Sequence, residues 1–305
     1  MDVVVIGQIV RDLAVRVDEV PGPGSAAPVR ERIEVLGGKG ANQAVALAQL
    51  GCRPALVGVV GDDRHADEVL ARAVEDGIDT TPVVRRSGTR TGLIIDVVDG
   101  DGRWRYLQDL PDGVLLTIAD VEAAAPAFDA ADAVVVQLQQ PLPAVCEAAD
   151  RGRRAGATVV LDGAPPDPGA RSDLLARCDV LRADDSEAAL WAGAEVGAEI
   201  GAASDALRVA RALLVRGPWM VVLGAGSEGN VVVWPDGEAV IPLGDADVVD
   251  TTGGGDAFTA GIVAALHEGP ETAARRGSAA AALTVGHTGG RPRLSREEVA
   301  QRARP

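Results

Sequence analysis

The chain has 305 residues, 47% of them hydrophobic but only 2% aromatic, and a formal net charge of −16. That is enough aliphatic material for a large core of Ala, Val, Leu and Ile, and too much for a disordered chain at this charge. An acidic surface repels nucleic-acid backbone, and no uncharged apolar run nears the 18 residues of a membrane span, so neither nucleic acid nor membrane is an expected partner.

The opening Met1-Asp2-Val3-Val4-Val5-Ile6-Gly7 has no basic segment before its apolar stretch, so it reads as a first strand and not a signal peptide. In chain order, Val3–Ile6, Ala55–Val60, Ala133–Leu138, Thr158–Leu161, Asp179–Leu181 and Met220–Leu223 read as buried strands. Helical periodicity marks Ala41–Leu50, Ala66–Asp76, Leu142–Ala155, Ser186–Ala192 and Ala206–Leu214, several of which stop at Gly51, Gly77, Gly156 or Gly193. Such alternation predicts an α/β fold, a mostly parallel sheet flanked by helices on both faces. Residues 12–36 and 91–109 break the rhythm with polar alternation and no helices, and predict a small antiparallel sheet projecting from the body. A hairpin over Asn230–Trp234 and Glu238–Pro242 and Ala-rich helices near 255–268 and 271–286 complete the chain.

Cys52, Cys146 and Cys178 are odd in number and lack C-x-x-C spacing, which fits a reducing cytoplasm and neither a disulfide framework nor a zinc site. His65, His267 and His287 have no metal-like spacing and read as surface or helix-end residues. Composition hides one oddity. The 29 basic residues include a single lysine, Lys39, and the only asparagines are Asn42 and Asn230.

The stretch with most chemical content is Asp250-Thr251-Thr252-Gly253-Gly254-Gly255-Asp256-Ala257-Phe258. Glycines opening a helix leave amide N–H groups free for an anion, and the helix N-terminus favours negative charge. A carboxylate beside such a nest is repelled by a bound phosphate unless it has a task; accepting a proton from an attacking hydroxyl is one. The bland alternative is a loop with an ordinary first-turn Asp256. A second stretch, Gly37-Gly38-Lys39-Gly40-Ala41-Asn42-Gln43-Ala44, also opens a helix but lacks the Ser/Thr of a Walker P-loop. It reads as ligand-binding backbone with Lys39 and Asn42 as polar contacts, or as a helix start with a solvated lysine. Gly224-Ala225-Gly226-Ser227-Glu228-Gly229 fits G-x-G-x-x-G, yet a strand follows it where a dinucleotide fingerprint needs a helix. Asp184-Asp185-Ser186-Glu187 serves equally as a helix cap or a water-mediated Mg2+ site. Asp12 reads as a sugar ligand or a turn residue, and Gln43 and Ser278 as helix polar residues.

Taken together, GGKGANQA at 37–44 and DTTGGGD at 250–256, with Val-Ile-Gly…Asp12 at the start and Gly61-Asp62 after the second strand, resemble the ribokinase (PfkB-type) sugar kinase family. The resemblance spans nearly the whole chain and implies a single Rossmann-like kinase domain, residues 1–305, with a small β-sheet lid from 12–36 and 91–109. It implies ATP-dependent phosphorylation of a sugar hydroxyl with Mg2+, Asp256 as catalytic base, and an anion hole at Gly253, Gly254 and Gly255. Asp12, Gly38, Lys39, Gly40, Asn42 and Gln139 fall on sugar-binding positions. Asp184, Gly224, Gly226, Ser227, Gly229, Gly255 and Ser278 fall on nucleotide-binding ones. Asp184 and Glu187 match the Mg2+-linked Asn-x-x-Glu, and Asp250, Thr252, Thr284 and Gly289 a site for a monovalent cation such as K+. A homodimer through the lid is a further expectation, since an exposed small sheet needs cover.

The sequence departs from that pattern at Val10 (Asn in ribokinase), Gln139 (Glu), Asp184 (Asn), Gly224 (Thr), and His287 and Arg293 in the cation loop. The first two remove or weaken hydrogen bonds to the sugar. A nucleoside kinase, or a non-catalytic sugar or nucleotide sensor, are the alternative readings.

Overall fold

The structure, a computed structural model, describes residues 1–193, 200 and 202–304. The chain begins with β1 (Asp2–Ile6), β2 (Val10–Val17) and β3 (Val29–Gly37), then α1 (Lys39–Gln49), β4 (Arg53–Val57), β5 (Val59–Gly61) and α2 (Arg64–Glu75). It continues through β6 (Val84–Arg86), β7 (Gly92–Val98), β8 (Trp104–Asp109), α3 (Ile118–Ala123), α4 (Ala125–Phe128) and β9 (Ala133–Gln137). Next come α5 (Leu142–Ala155), β10 (Thr158–Asp162), α6 (Arg171–Leu175), β11 (Val180–Ala183), α7 (Asp185–Ala192) and α8 (Ala203–Leu214). The last elements are β12 (Met220–Gly224), β13 (Asn230–Trp234), β14 (Gly237–Ile241), α9 (Gly254–Ala264), α10 (Pro270–Val285) and α11 (Arg296–Arg302).

Eight strands form the main sheet in the order β14-β13-β12-β11-β10-β9-β1-β4. Pairings from β12 to β4 are parallel, and the β13–β14 hairpin adds an antiparallel edge. The aliphatic runs form strands because both faces are covered: side chains alternate between two cores. Val3 and Val5 join α1, α2, α9 and α10 in one; Val4 and Ile6 join α3, α5 and α8 in the other. Each fully buried Val or Leu contributes roughly 1.5–3 kcal/mol, so repetition of modest side chains replaces the missing aromatics.

The expected strand over 55–60 is broken at Gly58 into β4 and β5, and β5 leaves the main sheet to pair with β6. The short helices α3, α4, α6 and α11 span seven residues or fewer, too little for periodicity to show. The smaller sheet lies where the sequence placed it, in the order β3-β2-β7-β8, but it is not antiparallel throughout. Two antiparallel hairpins, β2–β3 and β7–β8, sit side by side with β2 and β7 parallel, because both strands leave the main body in the same direction.

Among the described residues no helix is long and apolar enough to cross a membrane. The three cysteines are unpaired.

Candidate active site

The carboxyl ends of the parallel strands and the inner face of the smaller sheet enclose a cavity of about 490 Å3. This is the crevice at which open α/β sheets bind ligands. Around it, α1 supplies Lys39 and Asn42, β11 supplies Arg182, and the start of α9 supplies Gly253, Gly255 and Asp256. The smaller sheet supplies Asp12, Ala14, Ile94, Asp96 and Tyr106, and Gln139 and Asp184 border the remainder.

α9 starts at a glycine for steric reasons. Gly253, its N-cap, has φ +72°, and a Cβ there would collide with the carbonyl oxygen of Gly290. The N–H groups of Gly253, Gly255 and Asp256 have no acceptor among the described residues, so three amides converge at a helix N-terminus.

Asp256 is 6% exposed. Asn42 Nδ2 donates to its Oδ2 (3.0 Å), and Gln43 Nε2 reaches its Oδ1 (3.4 Å) and Asp162 Oδ2 (2.7 Å). Arg182 Nη1 donates to Asp162 Oδ1 (3.1 Å), as does the Thr259 hydroxyl (2.9 Å). Lys39 Nζ pairs with Glu187 Oε1 (3.3 Å), whose Oε2 lies 4.0 Å from Arg182. A continuous polar chain thus runs from α7 to Asp256. Burial pushes Asp256 up to about 7; Lys39, Asn42 and Arg182 hold it down, and Asp162 adds to the rise. Asp12 is likewise pushed up to about 7 by burial, opposed by the Gly38 N–H and reinforced by Asp256, Asp96 and Asp250.

Asp184 and Glu187 form a reciprocal capping box on α7. Asp184 Oδ1 accepts from the Glu187 N–H (2.8 Å), and Glu187 Oε2 accepts from the Asp184 N–H (2.9 Å). Asp184 Oδ2 has no hydrogen-bond donor among the described residues. The glycine at 224 is dictated by this helix start: a Cβ there would lie 2.6 Å from the Asp185 nitrogen.

Gly40 and Gly254 are buried beside the cavity without bordering it. Gly226, Ser227 and Gly229 form the turn between β12 and β13. That turn leads to Asn230, which pairs with Ile241 at the edge of a second cavity of about 490 Å3. Ser278 borders this second cavity, its hydroxyl donating to the Pro242 carbonyl (2.8 Å). Asp250 braces two loops, accepting the N–H groups of Thr252 (2.9 Å) and Gly289 (2.8 Å), while the Thr284 hydroxyl bonds back to Ala280. Val10 is buried against Gly92 and does not border the first cavity.

Sequence reasoning missed Asp162, Arg182, Thr259 and Asp96, and read Gln43 as an ordinary helix residue although it is fully buried between two carboxylates. Only Asp96 left a local trace, as a lone acid inside the aliphatic run Leu93-Ile94-Ile95-Asp96-Val97-Val98.

Residues 1–296 match the pfkB family carbohydrate kinase profile. The chain is 30% identical to a ribokinase from Haemophilus influenzae over 284 residues, covering 92% of this chain and 91% of that one. It is 34% identical to an ATP-dependent ribose-1-phosphate kinase from Halopiger xanaduensis, covering 96% and 95%. The crystal structure of a ribokinase from Thermotoga maritima superposes with a TM-score of 0.80 at 27% identity, covering 98% of each chain. The chain therefore belongs to the pfkB family of carbohydrate kinases, phosphotransferases with an alcohol group as acceptor.

Proposed function

We propose that the chain is one kinase unit that uses ATP to phosphorylate a hydroxyl of a small sugar, ribose or a related carbohydrate, by in-line transfer. The observation that carries this reading is the placement of Asp256, buried beside three free amides in the same cavity as Asp12, Lys39 and Asn42. Asp12 and Asn42 hold the sugar, Gln139 contributes a weaker contact, and the carboxylate of Asp256 takes the proton of the attacking hydroxyl. The amides of Gly253 and Gly255 meet the charge that develops on the transferred group. The smaller sheet acts as a lid and shields the reacting groups from water. The adenine end of ATP falls to the second cavity at Ser278, with the 224–229 turn along its edge.

Mg2+ would be held by Asp184 and Glu187, mainly through water. Asp184 Oδ2, without a hydrogen-bond donor among the described residues, is a hard oxygen suited to an ion that keeps its waters and binds substrate phosphates. When bound, it neutralises polyphosphate charge. Asp250, Thr252, Thr284 and Gly289 lie where K+ would be sought, but Asp250 already accepts two backbone N–H groups and Thr284 serves its own helix, so no step is assigned to K+.

ADP release across a panel of sugars and nucleosides tests the reading: turnover with a sugar supports it, and none with any member overturns it. A nucleoside acceptor is the second reading, favoured by Trp104 and Tyr106, a tilted aromatic pair 4.7 Å apart at the cavity mouth that offers a face to a base. The lid further suits self-association, since its edge strand β8 exposes Trp104 (52%) and Leu107 (61%).

A further inference from the structure

Asp96 has no place in the chemistry above, yet it is the most anomalous side chain in the cavity. It lies on β7, exposes 6% of its surface, and neither carboxylate oxygen has a hydrogen-bond partner among the described residues. A buried carboxylate in that state is costly unless something supplies donors. Burial, reinforced by the neighbouring Asp250, pushes it up to about 6.

Strand register fixes where Asp96 points. Ala14 on β2 and Tyr106 on β8 are its direct neighbours, and Asp12 pairs with Ile94, one pleat away on the same face. All five border the cavity. The small Ala14 leaves Asp96 open toward Asp12, whose Oδ1 is also buried without a partner. Tyr106 does not relieve Asp96: its hydroxyl meets Thr252 Oγ1 (2.7 Å), and neither Asp96 oxygen has a partner among the described residues. Three acceptor oxygens at one end of the cavity therefore have no hydrogen-bond donor engaged on them among the described residues. The two cations that border the cavity, Lys39 and Arg182, are committed to Glu187 and Asp162 at the opposite end.

We infer that Asp96 is a specificity-determining residue: it accepts a hydrogen bond from a hydroxyl of an uncharged, polyhydroxylated acceptor and excludes acceptors that carry a phosphate at the lid end. The inference rests on the kinase reading of the same cavity. Hydroxyls supply the donors that the three oxygens lack. A phosphate brings only acceptors and negative charge, and would face Asp12 and Asp96 with no free cation.

The test uses the full chain, ATP and Mg2+, with D-ribose, 2-deoxy-D-ribose, D-fructose, adenosine and ribose 1-phosphate as acceptors, reading ADP release. The same acceptors are titrated calorimetrically without ATP. For the best uncharged acceptor, wild-type kcat/KM should exceed that for ribose 1-phosphate by about 100-fold or more. Asp96→Leu and Asp96→Asn should each weaken binding and raise KM for that acceptor, by about 10–100-fold in Asp96→Leu, the worth of a hydrogen bond to a charged group. Their kcat should stay within a few-fold of wild type, and Asp96→Asn should narrow the gap to ribose 1-phosphate. Equal wild-type use of ribose 1-phosphate, or KM and Kd unchanged in both variants, overturns the assignment while leaving the kinase intact. Wild type that binds and turns over none of the acceptors removes the kinase reading itself, and Asp96's role with it.

Discussion

Replacing Asp256 by Asn separates what this residue does for the reaction from what it costs the fold. Burial lifts its carboxyl from an ordinary 3.8 to about 7, with Asp162 adding to the rise. That corresponds to about 4 kcal/mol held against the charged form. The unfolded chain releases the proton near 3.8 and the fold near 7, so between these values the fold holds the extra proton and stability falls as pH rises. Asp256→Asn abolishes that dependence while Asn42 Nδ2 can still donate to the new amide oxygen. The variant should therefore gain on wild type from pH 4 upward, by a few kcal/mol once the gap levels off above pH 7, read by urea unfolding at several pH values. Turnover should move the opposite way, falling by roughly 10²–10⁴-fold as the base is lost. In wild type, kcat/KM should fall as pH drops below about 7, more steeply than one proton requires because Asp12 titrates in the same range. An Asn variant that keeps turnover within tenfold of wild type refutes the assignment of the base. One no more stable than wild type at pH 8 refutes the electrostatic account.

Arg182→Met leaves Asp162 buried with its cation gone, and should destabilise by about 3–5 kcal/mol in chemical denaturation. Gly253→Ala places a Cβ against the Gly290 carbonyl in a left-handed conformation; thermal melting should show a loss above about 1 kcal/mol, with kcat reduced as the amides shift. Sedimentation should find a dimer that Trp104→Asp dissociates, with the same sheet content by circular dichroism; a wild-type monomer at all concentrations removes the lid interface.

What the sequence disclosed depended on how local each signal was. Strands such as Val3–Ile6 and Met220–Leu223 were legible because burial on both faces demands unbroken aliphatic runs, and β1 and β12 meet that demand. Glycines before Asp256 and around Lys39 were legible because helix starts that approach a ligand or another backbone must be small. The network behind them was not. Gln43 meets Asp162 across 119 residues and Asp256 across 213, and no periodicity connects residues so far apart. Val10, apolar where the family pattern has a sugar ligand, is buried against Gly92 at the cavity end of β2, two residues before Asp12, and does not itself border the cavity.

The lone lysine follows from the same electrostatics. Lys39 is the first residue of α1, where the smaller sheet passes into the main body. Burial would lower its ammonium, but Asp162, Glu187 and Asp256 outweigh that and hold it above its ordinary value. A point charge can answer three carboxylates in different directions, whereas a planar guanidinium commits its donors to one plane. Arg182 makes such a commitment, fixed to Asp162 and lying 5.5 Å over the Phe258 ring. A second guanidinium at 39 would crowd Arg182 without matching the geometry of three acids. A chain of net charge −16 thus sets its one lysine, paired with Glu187, among buried acids at the border of the cavity, while the amides at the start of α9 offer its anion-binding groups.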